Sequence, residues 1–215
     1  MQQSSCNFYR IGRVLGRGAF GKVNLACHKV TEHLVAIKAL EKKVLDSEKD
    51  TKKRVMQEIA ILKESNHCNV VRLYDSFETH KHICFVMELC QGGDLLSYVR
   101  KRRKLKEDNA KYLFKQLIEG LDYIHTQKFV LHRDIKLDNI LLDAQGQIKI
   151  CDFGVSRQVK SERERMFDQC GTPAYIAPEI LNKKKGYKGF KSDMWSAGVC
   201  LYVMLFGTVP FRAST

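Results

Sequence analysis

The hydrophobic period of this 215-residue chain changes near residue 90, and nothing else in the sequence constrains its fold as much. Ahead of that point, residues 9–14, 22–27, 34–40, 70–77 and 82–89 alternate or run apolar in short stretches rich in Val, Ile and Ala, and these read as strands. One helical repeat interrupts them over about 47–63, where Val55, Ile59 and Leu62 recur at three- and four-residue steps and Asp46 or Ser47 stands where a cap belongs. Gln91-Gly92-Gly93 breaks the pattern as a hinge or linker would. Beyond it the period is helical at 95–103, at 108–127 (Ala110, Leu113, Phe114, Leu117, Leu121 and Ile124 on one face) and at 193–206. The expectation is an α+β chain in two parts. Residues 1–90 form a small antiparallel β-rich lobe with one helix, and 91–215 form a larger, mainly helical lobe, with a ligand cleft where they meet.

Composition narrows the class. Apolar residues make up 44% and charged residues 28%, which excludes a disordered or collagen-like chain. The longest apolar stretch, 197–207, is too short to span a bilayer, so no membrane role is expected. The first ten residues lack the charged start and apolar block of a secretory signal. Eight cysteines include no C-x-x-C pair and sit mostly in apolar runs, which suits reduced thiols in a cytoplasmic protein and offers no zinc site. Lys and Arg outnumber Asp and Glu by 37 to 24, giving +13, with the charge concentrated at 100–106 and 183–191. These runs read as solvated surface, leaving acidic partners and nuclear import open. Nucleic acid is disfavoured because no aromatic residues interleave the first run.

Gly16-Arg17-Gly18-Ala19-Phe20-Gly21-Lys22-Val23 lies between two expected strands. A dinucleotide-binding turn needs a helix next, and none is expected. A P-loop needs a hydroxyl at the eighth position to bind magnesium, and Val23 has none. Two readings remain: a strand–turn–strand flap whose backbone approaches nucleotide phosphates, or a glycine-rich hairpin without a ligand.

Five further signals follow in order. They are Val35-Ala36-Ile37-Lys38 at a strand end; Glu58 on the helix; the run His132 to Asn139 (HRDIKLDN); Asp152-Phe153-Gly154; and Ala177-Pro178-Glu179. The polar groups crowded into HRDIKLDN are more than a folding-only account needs around one apolar strand end. With these motifs in this order, almost the whole chain resembles the eukaryotic protein kinase family. Lys136, two residues after Asp134, and the Gly171–Glu179 pattern G-T-x-x-Y-x-A-P-E resemble its serine/threonine members. The wording around Gly171 and Asp193 is most similar to the calmodulin-dependent and AMP-activated group.

The resemblance implies a bilobal kinase fold using ATP and Mg2+ to phosphorylate protein substrates. Gly16, Gly18 and Gly21 would cover the phosphates. Lys38 would hold the α- and β-phosphates and be held by Glu58. Asp134 would accept the substrate hydroxyl, Lys136 would steady the γ-phosphate, and Thr172 would bond near both. Asn139 and Asp152 would ligate magnesium. Val23 and Ala36 would lie above the adenine and Leu141 below it, with its edge on the backbone of Glu88 and Cys90. Asp94 and Asp138 match positions that favour basic residues near the target Ser or Thr.

Two departures stand out against that family. Where many members carry a phosphorylated residue four positions before Thr172, this chain has Asp168, and Arg133, Arg157 and Arg54 match the basic groups that would face it. An activation loop ordered by Asp168 without phosphorylation is the expectation. The chain also ends soon after Val209-Pro210-Phe211, where family members continue. That implies a large lobe incomplete at its C-terminus and an apolar 193–206 face open to a partner. The alternative is a truncated nucleotide-binding interaction module with little or no turnover.

Overall fold

A computed structural model describes residues 5–18, 21–47, 50–181 and 185–211. Ala19 and Phe20 of the glycine loop, and Lys183 and Lys184 of the second basic run, lie outside them. The chain divides into two compact units, one of Met1–Glu64 with Val71–Cys90, the other of Ser65–Val70 with Gln91–Thr215.

The first unit is an antiparallel five-stranded sheet. Its strands are β1 (Tyr9–Gly18), β2 (Gly21–His28), β3 (Leu34–Glu41), β4 (Leu73–Glu78) and β5 (His82–Glu88), in the order β1-β2-β3-β5-β4. Alternation places Ala26, Val35, Ile37, Cys84 and Val86 in one buried cluster. β5 is buried without a break from Ile83 to Val86, so both of its faces are covered there, whereas edge strand β1 is almost wholly exposed. The helix expected at about 47–63 is α2 (Thr51–Glu64), and a short helix, α1 (Lys42–Ser47), precedes it. Neither expected cap holds that place. Ser47 closes α1, its hydroxyl donating to the Val44 carbonyl at 2.8 Å, and the first bond of α2 runs from the Arg54 amide to the Asp50 carbonyl at 3.0 Å. The short α1 is thus a helix beyond the one expected. α2 buries Val55, Ile59, Ile61 and Leu62, and with them Glu58.

The second unit holds α3 (Leu95–Arg102), α4 (Glu107–Asp122) with a π turn at Tyr123–Gln127, and α5 (Gly189–Phe206). Its strands are short: β6 (Gly93–Asp94), β7 (Val130–Leu131), β8 (Ile140–Leu142), β9 (Ile148–Ile150), β10 (Arg157–Gln158), β11 (Arg165–Met166) and β12 (Tyr187–Lys188). They pair as β6-β8-β9, β7-β10 and β11-β12. Residues 65–70 belong here although they precede residue 90. The Asn69 side chain donates to Gln116 Oε1 and to the Ile148 carbonyl, both at 3.1 Å, and its own carbonyl accepts from the Ile150 amide at 2.8 Å. α5 carries a single carboxylate, Asp193, which is 1% exposed, while Met194, Trp195, Tyr202 and Phe206 face outward. Among the described residues, no helix is long and apolar enough to cross a membrane.

Candidate active site

The segment His132–Asn139 is held from beneath by Asp193. One carboxylate oxygen accepts from the His132 amide (2.8 Å) and from His125 Nε2 (2.9 Å), and the other accepts from the Arg133 amide (2.8 Å). Arg133 has φ +68°, an expensive conformation for a residue with a side chain, and these bonds hold it there. The buried His132 ring donates from Nε2 to the Cys151 carbonyl (3.0 Å), accepts at Nδ1 from the Asp134 amide (3.3 Å), and meets Phe153 edge-on at 5.0 Å. The backbone that carries Asp134 is therefore tied both to α5 and to the strand end before Asp152.

Three groups converge on the Asp134 carboxylate. Thr172 Oγ1 donates to Oδ1 at 2.8 Å; Lys136 Nζ and Asn139 Nδ2 reach Oδ2 at 2.9 and 3.0 Å. Lys136 also donates to Thr172 Oγ1 at 2.9 Å, and Asn139 to the Asp134 main-chain carbonyl at 2.9 Å. Burial alone would raise the Asp134 carboxyl, but the hydrogen bonds from Lys136 and Thr172, with the Lys136 charge, hold it below the usual carboxylate range. It is an anion at neutral pH and a weak proton acceptor. A small recess lined by Asp134, Gly171, Thr172 and Tyr175 opens beside it.

Asn139 and Asp152 were expected to hold magnesium. Asn139 Nδ2 is committed to Asp134, so a metal at this side chain would have to be held by its carbonyl oxygen. Asp152 is exposed and, like Arg133, has a positive φ, here +63°. Among the described residues no three His, Cys, Asp or Glu gather as a self-sufficient metal site. That donor set suits Mg2+, which keeps several waters and commonly takes one or two protein ligands alongside substrate phosphates.

In the first unit, Lys38 Nζ lies 2.8 Å from Glu58 Oε1, whose side chain is 4% exposed, and 5.3 Å from the centre of the Phe85 ring. Strand register puts Lys38 opposite Phe85 on β5, and the α2 period puts Glu58 on the buried side of the helix. Gly21 pairs with Leu40, and a Cβ there would stand 2.0 Å from the Ala39 carbonyl oxygen, so the β2–β3 pairing admits only glycine. Gly16 and Gly18 differ. Among the described residues, a Cβ at 16 meets nothing within 4 Å and one at 18 meets only the Gly21 carbonyl at 4.0 Å, and neither glycine has a positive φ. Ala36 is buried and Val23 half-buried on adjoining strands. The Glu88 amide donates to the Arg72 carbonyl at 2.9 Å. Cys90 closes the first unit. In the second, half-buried Leu141 sits in β8, and Asp94 caps α3 by accepting from the Ser97 amide (2.7 Å) and hydroxyl (2.8 Å).

Asp168 is held as the sequence suggested by two of three arginines. Arg133 Nη1 donates to its Oδ2, and Arg157 Nη1 lies 3.6 Å from Oδ1. Arg54 belongs to the first unit. Burial pushes the Asp168 carboxyl up, but adjacent Arg133 outweighs it, with help from Arg157, and holds the group below its ordinary value.

Over residues 9–215 the sequence matches the protein kinase domain family. The chain belongs to that family. It is 41% identical over 203 residues to the rice "Serine/threonine protein kinase OSK3" (Oryza sativa subsp. indica), covering 94% of this chain and 39% of the relative. It is 44% identical over 206 residues to the Arabidopsis thaliana "CBL-interacting serine/threonine-protein kinase 5", covering 95% and 46%. Against the "SNF1-related protein kinase catalytic subunit alpha KIN12" of the same plant, identity is 43% over 203 residues, covering 94% and 40%. The kinase domain thus spans less than half the length of these curated relatives. Members of the family use ATP and Mg2+ and act on proteins.

Sequence reasoning did not assign positioning work to Asp193 and His125, which hold the backbone of the His132–Asn139 segment. The signal was there: a lone carboxylate within a largely apolar helix is costly unless something donates to it.

Proposed function

We propose that this kinase domain transfers the γ-phosphoryl group of ATP to serine or threonine hydroxyls of protein substrates. The observation that carries the reading is the Asp134 carboxylate with Thr172, Lys136 and Asn139 all within 3.0 Å. Phosphoryl transfer passes through a loose transition state, so positioning and charge matter more than strong base catalysis. A carboxylate held as an anion below its usual range suits such chemistry, because it orients the substrate hydroxyl and takes its proton late. Lys136, between Asp134 and Thr172, would neutralise charge on the transferred group. Lys38, held by Glu58, would pair with the α- and β-phosphates.

Gly16 and Gly18 would let the loop backbone approach nucleotide phosphates; among the described residues, neither crowding nor a positive φ accounts for glycine there. Val23, Ala36 and Leu141, with the backbone of Glu88 and Cys90, would receive the adenine. Asp152 and the Asn139 carbonyl would hold Mg2+, which when bound neutralises phosphate charge. Asp168, facing Arg133 and Arg157, would order the activation segment without a phosphate. Exposed Asp138 and the α3 cap Asp94 both carry negative charge and would favour Arg or Lys near the target residue. The outward apolar side chains of α5 suit cover by a partner.

Transfer of labelled phosphate from ATP to a basic protein, compared with Asp134→Asn, tests the reading. We expect Asp134→Asn to abolish transfer while keeping ATP-induced thermal stabilisation. Stabilisation of the unmodified chain with no transfer would instead identify a nucleotide-binding module.

A further inference from the structure

Residues 165–168 are anchored at points that do not involve the Asp168 carboxylate. Arg165 pairs with Lys188 and Met166 with Tyr187, joining β11 to β12. Arg165 Nη1 donates to the carbonyls of Lys185 (2.6 Å) and Gly186 (3.3 Å). Tyr187 Oη donates to the Asp168 main-chain carbonyl at 2.8 Å. A two-residue ladder is too short to persist alone. This one persists because Met166 (1% exposed) and Tyr187 (4%) enter one buried cluster with Leu131, Val159, Ala177 and Ile180. Leu131 immediately precedes His132, so the cluster reaches the segment that carries Asp134.

Two features favour glycine at 186. Its φ is +61°, and a Cβ there would come within 2.8 Å of Phe167 Cε1 and 3.1 Å of the Met166 carbonyl oxygen. The turn before Tyr187 is thus shaped to fit residues 166 and 167. Burial pushes the Tyr187 phenol up to about 12, so it remains a donor throughout the neutral range. The Asp168 pair, by contrast, is weak by itself. Its side chain is 47% exposed, and it carries one charge where a phosphate would carry nearly two.

Resting on the phosphotransfer reading above, we propose that Gly186 and Tyr187 are positioning residues: the turn and strand 185–188 hold Asp168 in register with Arg133, so that the activation segment stays ordered without a phosphate. The carboxylate supplies the charge, and the brace supplies the placement.

Three variants of the full chain decide it: Tyr187→Phe, which removes only the hydroxyl, Asp168→Asn, and the double substitution. Tyr187→Phe should lower kcat/KM for a basic peptide about fivefold, with KM for ATP unchanged. It should also speed hydrogen exchange at amides 165–170. Because both residues act through one placement, the double variant should lose no more than the worse single one. Multiplicative losses, or exchange at 165–170 as slow as in the parent, overturn the proposal. Gly186→Ala should speed exchange over the same amides, and unaltered exchange there counts against the brace. If the parent chain transfers no phosphate, the phosphotransfer reading fails, and exchange still decides whether the brace exists.

Discussion

Thr172 Oγ1 donates to Asp134 Oδ1 across 2.8 Å while accepting from Lys136 Nζ at 2.9 Å, so one hydroxyl joins the carboxylate and the ammonium at the proposed centre of transfer. A hydrogen bond to a charged group contributes about 1.5–3 kcal/mol. Thr172→Val should therefore lower kcat by roughly tenfold to a hundredfold with KM for ATP little changed. Thr172→Ser should recover most of the loss. Equal defects in Ser and Val variants, read by steady-state kinetics, would show that the hydroxyl is not what matters.

The Lys38–Glu58 pair is partly buried, and removing one partner is expected to cost more than the pair contributes. Lys38→Met leaves the 4%-exposed Glu58 without that ammonium, at a cost of about 3 kcal/mol. Lys38→Met combined with Glu58→Gln should recover part of the lost thermal stability without restoring activity. Calorimetry and phosphotransfer measured on the same samples separate the two effects, and a double variant no more stable than Lys38→Met would refute this account.

The three loop glycines should respond differently. Gly21→Ala places a methyl group 2.0 Å from the Ala39 carbonyl and must deform the β2–β3 pairing, lowering stability with or without nucleotide. Gly16→Ala meets none of the described residues within 4 Å and should melt within about 1 kcal/mol of the parent, while weakening ATP binding. Melting curves taken with and without ATP check both. An ATP affinity unchanged in Gly16→Ala would leave that position without the ligand role proposed for it.

Asp168 has a folded-state pKa below its unfolded value of about 3.9, so the native state binds fewer protons and its stabilising contribution is complete above that pH. It disappears as pH falls through the depressed folded value. The stability gap between the parent and Asp168→Asn should thus be constant from neutral pH down to about pH 4 and close below it. Urea titrations over a pH series measure the gap. Closure already near neutral pH would mean that Asp168 is not held by Arg133.

How much could be read in advance depends on the range of each interaction. The strands of the first unit follow from alternation, and α2, α3 and α4 from three- and four-residue steps, because backbone geometry repeats over a few residues. Asp134 and Asn139 stood out because His132–Asn139 crowds more polar groups together than folding alone needs, whereas Lys38, Glu58 and Asp152 stood out only through the order of motifs that resembles the kinase family. That a separate short helix, α1, ends at Ser47 was not readable, since the Ser47 hydroxyl competes for a backbone carbonyl in a way that periodicity does not register.

The order of residues along the chain already determines which polar side chains are available to the proposed phosphoryl transfer and in what succession they arrive. What holds them is settled by packing across the fold. Asp193 meets the His132 amide across 61 positions and His125 across 68, and Tyr187 meets the Asp168 carbonyl across 19. Residues 65–70 join the second unit through bonds from Asn69 to Gln116 and Ile148, 47 and 79 positions away. The physical reason is that a buried carboxylate or amide must find its partners wherever the packed chain brings them, and no local period carries that address.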